Sequence, residues 1–127
     1  MNAPGKPVLD ATAVLALIQD EPGAASLMAL LPGAVVGSVN AAEVLAKLIA
    51  RGLPREAALA AFESLHLEVM DFGPRDAATS SAYVQKNVSL GNRCFLASAA
   101  RFGVGWTSDR VLAALPENSR PRLKLFR

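Results

Sequence analysis

Four oxygen-bearing side chains occupy comparable places in this sequence, just after a predicted strand or in the first turns of a predicted helix. They are Asp10, Glu43, Asn92 and Asp109. In an open α/β sheet, the turns that follow parallel strands meet at one edge, outside the carboxyl ends of the strands. We therefore expect these four side chains to converge at that edge.

Carboxylates that converge repel one another, and each raises the pKa of its neighbours unless a cation is present. A divalent cation removes that conflict. Oxygen ligands without histidine or cysteine suit hard ions, so the pattern predicts Mg²⁺ or Mn²⁺ rather than zinc. Such ions bind phosphodiesters and activate a water molecule, which makes phosphodiester hydrolysis the expected chemistry.

Each acidic residue also has a purely structural interpretation. Asp10 and Asp109 precede predicted helices and could cap them. Glu43 lies three residues after Asn40, in the spacing of a capping box, and four before Lys47, in the spacing of a helical ion pair. Singly, each residue is better explained by these roles, because caps are common and sites are rare. Only the four together favour a site.

Apolar runs separated by turn residues predict the elements that position these side chains. Strands are predicted at 7–10, 34–37, 67–70, 122–125 and in a short run that ends at Thr107. Helices are predicted at 11–18, 24–31, 41–51, 54–65, 75–87, 89–103 and 109–115. Strands that alternate with helices indicate an α/β fold, a three-layer α/β/α sandwich with a central, mostly parallel sheet. The order of the strands does not follow from the sequence.

The composition predicts one domain. A chain of 127 residues with 52% hydrophobic residues can bury a real core, so residues 1–127 are expected to form a single domain behind a flexible polar lead, residues 1–6, without a signal peptide. No apolar run approaches the roughly 20 residues that cross a bilayer, so no membrane association is expected. Cys94 is the only cysteine, which excludes a disulfide framework and favours a cytoplasmic location.

Basic residues crowd the C-terminal segment without a carboxylate among them: Arg120, Arg122, Lys124 and Arg127. Such a patch is consistent with nucleic acid and equally consistent with a solvated edge strand. Trp106 could stack on a base, although a tryptophan in a strand more often belongs to the core.

Four segments occur in the order and spacing of a known family: Val8-Leu9-Asp10-Ala11-Thr12-Ala13, Ser38-Val39-Asn40-Ala41-Ala42-Glu43-Val44-Leu45, Ser89-Leu90-Gly91-Asn92-Arg93 and Thr107-Ser108-Asp109-Arg110. With these segments the chain resembles the PIN-domain ribonucleases, and most closely the VapC-type toxins of bacterial toxin–antitoxin pairs. The resemblance covers nearly the whole chain and its length. Each segment alone is weak evidence, but the four together are specific.

The resemblance implies a PIN-like fold and roles for individual residues. Asp10 resembles the first metal-binding aspartate, Glu43 the glutamate on the helix after the second strand, and Asp109 the aspartate after the fourth strand. The hydroxyl residue before that last aspartate is here Thr107. Thr107 and Asn40 would both support the site.

The family also implies an activity and partners. Its toxins are metal-dependent endoribonucleases that cleave structured RNA such as tRNA or rRNA, usually dimerise, and are blocked by an antitoxin segment in a groove near the first helices. Arg93 and Arg110 would then be RNA contacts. An apolar stripe on the second helix is expected to face the core and, where it reaches the surface, to contact the antitoxin or a second copy: Ala24, Leu27, Met28 and Leu31.

One position departs from the family pattern, which has Gly-Asp-Arg where this chain has Gly91-Asn92-Arg93. An asparagine amide is neutral and accepts through one oxygen only, so metal affinity and water activation should both fall. The asparagine is either natural divergence or an introduced change that silences the enzyme. The intact pattern around it favours an introduced change.

Three functions follow from these observations. The leading one is RNA cleavage by activated water, which gives 5′-phosphate and 3′-hydroxyl ends. The alternative is a catalytically inactive PIN-like module that binds RNA or an antitoxin. A receiver-like signalling domain is a weaker third interpretation, because the sequence lacks an acidic pair near Asp10 and a catalytic lysine after a later strand.

Overall fold

The structure, a computed structural model, describes residues 5–127 of the chain. Five strands form one sheet in the order β3-β2-β1-β4-β5, and every neighbouring pair is parallel. The strands are β1 (Lys6–Leu9), β2 (Val35–Gly37), β3 (Glu68–Met70), β4 (Gly103–Thr107) and β5 (Leu123–Leu125). The predicted α/β fold with a parallel sheet is confirmed.

Helices connect the strands. They are α1 (Ala11–Gln19), α2 (Ala24–Met28), α3 (Ser38–Ala50), α4 (Arg55–Glu63), α5 (Pro74–Ser80), α6 (Leu90–Phe102) and α7 (Arg110–Ala113). Short 3₁₀ helices lie at Leu31–Gly33, Ser81–Tyr83 and Glu117–Ser119. Within residues 5–127, the structure has no helix whose length and hydrophobicity would let it span a membrane.

The sheet separates two apolar cores, because successive side chains of a strand point to opposite faces. Leu9 belongs to the core that contains residues of α1 and α3, whereas its neighbour Val8 belongs to the core that contains residues of α6. The fully buried large side chains of the first core are Leu9, Val14, Leu15, Leu27, Val36, Val44 and Leu48, and those of the second are Val8, Val35, Phe95, Leu96 and Leu112. Two helical layers around one sheet confirm the predicted sandwich.

Several predicted boundaries were wrong, and the largest difference is in the fifth helix. The helix predicted at 75–87 ends at Ser80. The hydroxyls of Thr79, Ser80 and Ser81 donate to backbone carbonyls three or four residues earlier, in competition with continued helical bonding. At the other end of the chain, Lys6 belongs to β1 and not to the predicted lead, of which residues 1–4 lie outside the described part.

The strand order defines where the site lies. From the central strand β1 the chain adds β2 and β3 on one side, and then β4 and β5 on the other. The reversal falls between β1 and β4, and ligands of open α/β sheets bind at the carboxyl ends of the strands beside such a reversal. Asp10 directly follows β1 and Asp109 closely follows β4.

Candidate active site

Asp10 is held by donors on both sides of the reversal. Its carboxylate accepts hydrogen bonds from the Thr12 hydroxyl at 2.7 Å, from the Ala13 backbone N–H at 2.9 Å, and from the hydroxyl of Thr107. The bond from Ala13 makes Asp10 the N-cap of α1. The structural interpretation of Asp10 is therefore correct, and it does not exclude a role in a site.

Burial shifts the pKa of Asp10. The side chain is almost fully buried, and this burial raises the pKa of the Asp10 carboxyl above its ordinary value of 3.8. Its hydrogen bonds oppose the rise in pKa, while the nearby negative charge of Asp109 adds to it. A cation beside these two carboxylates would favour their charged forms, so the pair has the electrostatic character of a cation site.

Thr107 joins the two aspartates. The residue is fully buried at the end of β4, and its hydroxyl donates to Asp10 Oδ2 while accepting the backbone N–H of Asp109 at 2.9 Å. A second cross-connection runs from the Ser108 N–H to the Thr12 hydroxyl at 3.2 Å. These contacts fix the turn after β4 against the turn after β1.

Asn92 lies against Asp109. Asp109 caps α7, because its Oδ1 accepts the backbone N–H groups of Val111 at 2.8 Å and Leu112 at 3.2 Å. Its other oxygen, Oδ2, accepts from Asn92 Nδ2 at 3.3 Å. Asn92 itself lies in the first turn of α6, where Ser89 is the N-cap. Asp10, Thr107, Asp109 and Asn92 thus form one continuous series of contacts.

Glu43 approaches this series from α3. Asn40 Nδ2 donates to Glu43 Oε1 at 2.6 Å and to the backbone carbonyl of Gly91 at 3.1 Å. The capping-box interpretation of Asn40 is wrong, because α3 already begins at Ser38 and places Asn40 inside the helix. Among the described residues, Glu43 also forms no ion pair with Lys47.

The oxygen atoms of these side chains suit a hard cation, although the carboxylates alone do not form a metal site. Within residues 5–127, no three aspartate, glutamate, histidine or cysteine side chains form a group that could hold a metal ion. The structure links Asp10, Asp109 and Asn92 and brings Glu43 to Gly91, the neighbour of Asn92. All of these side chains offer oxygen atoms, which Mg²⁺ and Mn²⁺ prefer. A metal site shared by the four remains a prediction.

The arginines predicted to contact RNA also bond to the protein. Arg93 donates to the carbonyl of Val88 at 3.1 Å, and Arg110 donates to the carbonyl of Arg127 at 3.2 Å. Arg110 is exposed beside Asp109, whereas Arg93 is half-buried. Of the two, Arg110 has the more accessible charge.

The C-terminal basic patch divides into structural and exposed members. Arg120 donates to three backbone carbonyls, two of which belong to α7 or its end, and Arg127 pairs with Glu21 at 3.3 Å. Arg122 and Lys124 are exposed. Trp106 is half-buried and packs against the core beside α1. The Lys124 ammonium lies 5.4 Å from the centre of its ring. This tryptophan therefore packs at the edge of the core, and its stacking on a base stays a prediction.

The predicted apolar stripe reaches the surface at one residue. Ala24 and Leu27 are buried, Leu31 is half-buried in a 3₁₀ helix, and Met28 is 58% exposed. The stripe is therefore mainly part of the core, and a partner could reach it through Met28.

Sequence reasoning included Gly91 in a family segment but missed its role. Gly91 touches the Glu43 carboxylate, and a Cβ added there would lie 2.5 Å from Glu43 Oε2. The available signal was a glycine in the first turn of a helix, where its low helix propensity calls for a reason.

Comparison with known proteins identifies the family. The profile of the PIN domain matches residues 8–117, so the chain belongs to the PIN domain family. Comparison with curated proteins finds no significant match.

Solved structures share the fold. VapBC of Salmonella typhimurium, solved bound to DNA, contains a chain with a TM-score of 0.76 and 20% identity, covering 96% of this chain and 98% of its own. VapBC2 of Rickettsia felis, solved with a DNA fragment from its promoter, gives 0.70 and 13%, covering 94% and 97%. A Pyrobaculum aerophilum protein gives 0.57 and 16%, covering 94% and 83%.

Proposed function

We propose that this protein is a metal-dependent endoribonuclease of the VapC type, which cleaves structured RNA of the tRNA or rRNA class. The observation that carries the proposal is the series of contacts that joins Asp10, Thr107, Asp109 and Asn92 at the reversal of the sheet. Membership of the PIN domain family supports it. The four site residues would be Asp10, Glu43, Asn92 and Asp109.

Each residue has a role that follows from its surroundings. Asp10 and Asp109 would present carboxylates fixed by backbone N–H groups, and Glu43 would close the site from α3. When bound, Mg²⁺ or Mn²⁺ would polarise the phosphate and lower the pKa of the attacking water. The exposed guanidinium of Arg110 would attract the RNA phosphate, and hydrolysis would leave 5′-phosphate and 3′-hydroxyl ends.

Asn92 weakens this site. Its amide donates to Asp109 Oδ2 at 3.3 Å. A neutral N–H group is therefore bonded to an oxygen that a cation would need. It also brings one negative charge fewer than an aspartate would. The chain as it stands should therefore cleave RNA weakly.

The test is to restore the aspartate. Asn92→Asp should increase RNA cleavage in Mn²⁺ by at least about tenfold, because a hard ion gains a charged ligand. EDTA should abolish the increase, and so should Asp10→Ala in the restored chain. A restored chain that cleaves no faster than the parent, or that cleaves equally well in EDTA, would refute the metal-dependent mechanism.

A cognate antitoxin and a second copy of the chain are the proposed protein partners, in a cytoplasmic setting. The matched chains of Salmonella and Rickettsia come from VapBC complexes, and exposed Met28 gives a partner an apolar contact. Co-expression with the product of the neighbouring small open reading frame, followed by size-exclusion chromatography, should yield a complex. Failure of any neighbouring product to co-elute would count against the toxin assignment.

A second function is a PIN module without catalysis that binds RNA or an antitoxin. The observation in its favour is that protein donors reach every site carboxylate, including Asp109 through Asn92. Unchanged cleavage in Asn92→Asp, together with retained antitoxin binding, would establish this function instead.

A further inference from the structure

The carboxylate of Glu43 occupies space that only a glycine leaves open. A Cβ built on Gly91 would lie 2.5 Å from Oε2, 2.6 Å from Cδ and 2.7 Å from Oε1 of Glu43, well inside van der Waals contact. The missing Cβ therefore allows this carboxylate to lie directly against the first turn of α6, beside Asn92.

A side chain at position 91 would move Glu43 and leave the backbone in place. The three atoms that a Cβ meets are the end of a flexible glutamate side chain. Gly91 is helical and has no left-handed φ angle, so alanine suits its backbone and favours the helix over glycine. For the fold alone, alanine is the better residue at this position.

Asn40 holds the same carboxylate from the other side. It is 2% exposed, and its amide nitrogen donates to both Glu43 Oε1 and the backbone carbonyl of Gly91. Its amide oxygen is buried and has no hydrogen-bond partner among the described residues. Because a buried unpaired oxygen disfavours folding, the donor half of the side chain explains why an asparagine lies here.

We infer that Asn40 and Gly91 are positioning residues that set the place of the Glu43 carboxylate in the metal site. Gly91 provides the space and Asn40 fixes the carboxylate within it, and both act across the contact between α3 and α6. The inference rests on the proposed function, since it assigns Glu43 to a bound cation.

The test separates metal binding from folding. Binding of Mn²⁺ is measured by electron paramagnetic resonance of the free ion for the parent, Gly91→Ala, Asn40→Ala, Asp10→Ala and Gly33→Ala. Gly33 is the matched control, because nothing lies within 4 Å of a Cβ added there. Thermal unfolding of each variant is measured in EDTA.

Gly91→Ala and Asn40→Ala should each bind Mn²⁺ roughly 10- to 100-fold more weakly than the parent, as expected when groups that orient a ligand are removed. Gly91→Ala should nevertheless unfold at the same or a higher temperature. Weaker metal binding without a loss of stability would not be expected if Gly91 were needed only for the fold. Gly33→Ala should bind Mn²⁺ like the parent.

The failures are distinguishable. If Asp10→Ala weakens Mn²⁺ binding in neither the parent nor Asn92→Asp, the proposed metal site is wrong and the inference falls with it. If binding depends on Asp10 but is unchanged in Gly91→Ala and Asn40→Ala, the inference alone is overturned. A crystal structure of Gly91→Ala with the Glu43 carboxylate in its original place would overturn it as well.

Discussion

The candidate site has two halves that are held in different ways. The strand half consists of Asp10, Thr107 and Asp109, and backbone N–H groups and a buried hydroxyl hold its carboxylates. The helix half consists of Asn40, Glu43 and Gly91, and a single amide and a missing Cβ hold its carboxylate. The strand half includes the N-terminal caps of α1 and α7, which are Asp10 and Asp109.

This difference separates stability from function. In the strand half, the groups that orient the carboxylates also start two helices and lock two turns together, so the fold depends on them. In the helix half, the orienting groups can be changed while the backbone stays in place. We expect substitutions in the strand half to change the free energy of unfolding, and substitutions in the helix half to change metal binding.

The largest effect on stability should come from Thr107→Val. The valine has nearly the same shape but removes the fully buried Thr107 hydroxyl, which donates to Asp10 and accepts from the Asp109 N–H. Leaving these groups unpaired should reduce the free energy of unfolding by about 2–3 kcal/mol. Urea denaturation measures this loss, and Gly91→Ala is the comparison from the helix half. Equal midpoints for the two variants would remove the distinction between the halves.

The next effect concerns pH and Asp10→Asn. Because burial raises the pKa of Asp10 in the folded state above the ordinary 3.8, the folded protein favours the protonated form. The stability that this group contributes is complete below about pH 4 and is lost as the pH rises through the raised pKa. Without metal, Asp10→Asn should avoid that loss, which is about 1.4 kcal/mol for each unit of upward shift.

Urea denaturation in EDTA at pH 4 and pH 7 checks this prediction. The stability of Asp10→Asn relative to the parent should be greater at pH 7 than at pH 4. A relative stability that stays constant between these pH values would show that the buried carboxyl has no raised pKa.

The smallest effect should come from Asn92→Asp in the absence of metal. The change removes the hydrogen bond to Asp109 and places two like charges together at a half-buried position. The expected loss of stability is about 1 kcal/mol in EDTA. Thermal unfolding should show that Mn²⁺ stabilises the variant more than the parent, because the ion binds the folded state more tightly. An equal gain in both chains would contradict a role for position 92 in metal binding.

The sequence predicted the strand half well, because that half depends on local signals. Asp10 and Asp109 each follow an apolar strand and precede a helix, and both positions can be recognised within a few residues. Whether they cap or bind could not be decided, since both roles call for the same oxygen atoms in the same place. The structure shows that each residue caps its helix.

The helix half could not be predicted from local patterns. The spacing of Asn40 and Glu43 suggested a capping box, but Gly37 is the N-cap of α3, and the Asn40 side chain bonds to Glu43 instead. The Asn40 amide also donates to the backbone carbonyl of Gly91, 51 residues further along the chain. Only the packing of α3 against α6 brings the two together, and it depends on a strand order that the sequence does not encode locally.

The pairing of β1 with β4 also fixes when the site can exist. Thr107 and Asp10 are 97 residues apart in sequence, so their bond closes a long loop. During translation the N-terminus of the chain leaves the ribosome first. Contacts between distant residues form late because loop closure is costly. A nascent chain that has not yet extruded β4 can cap α1 with Asp10 but lacks Thr107 and Asp109, so the strand half is incomplete. The proposed cleavage of RNA would therefore begin only after β4 has left the ribosome.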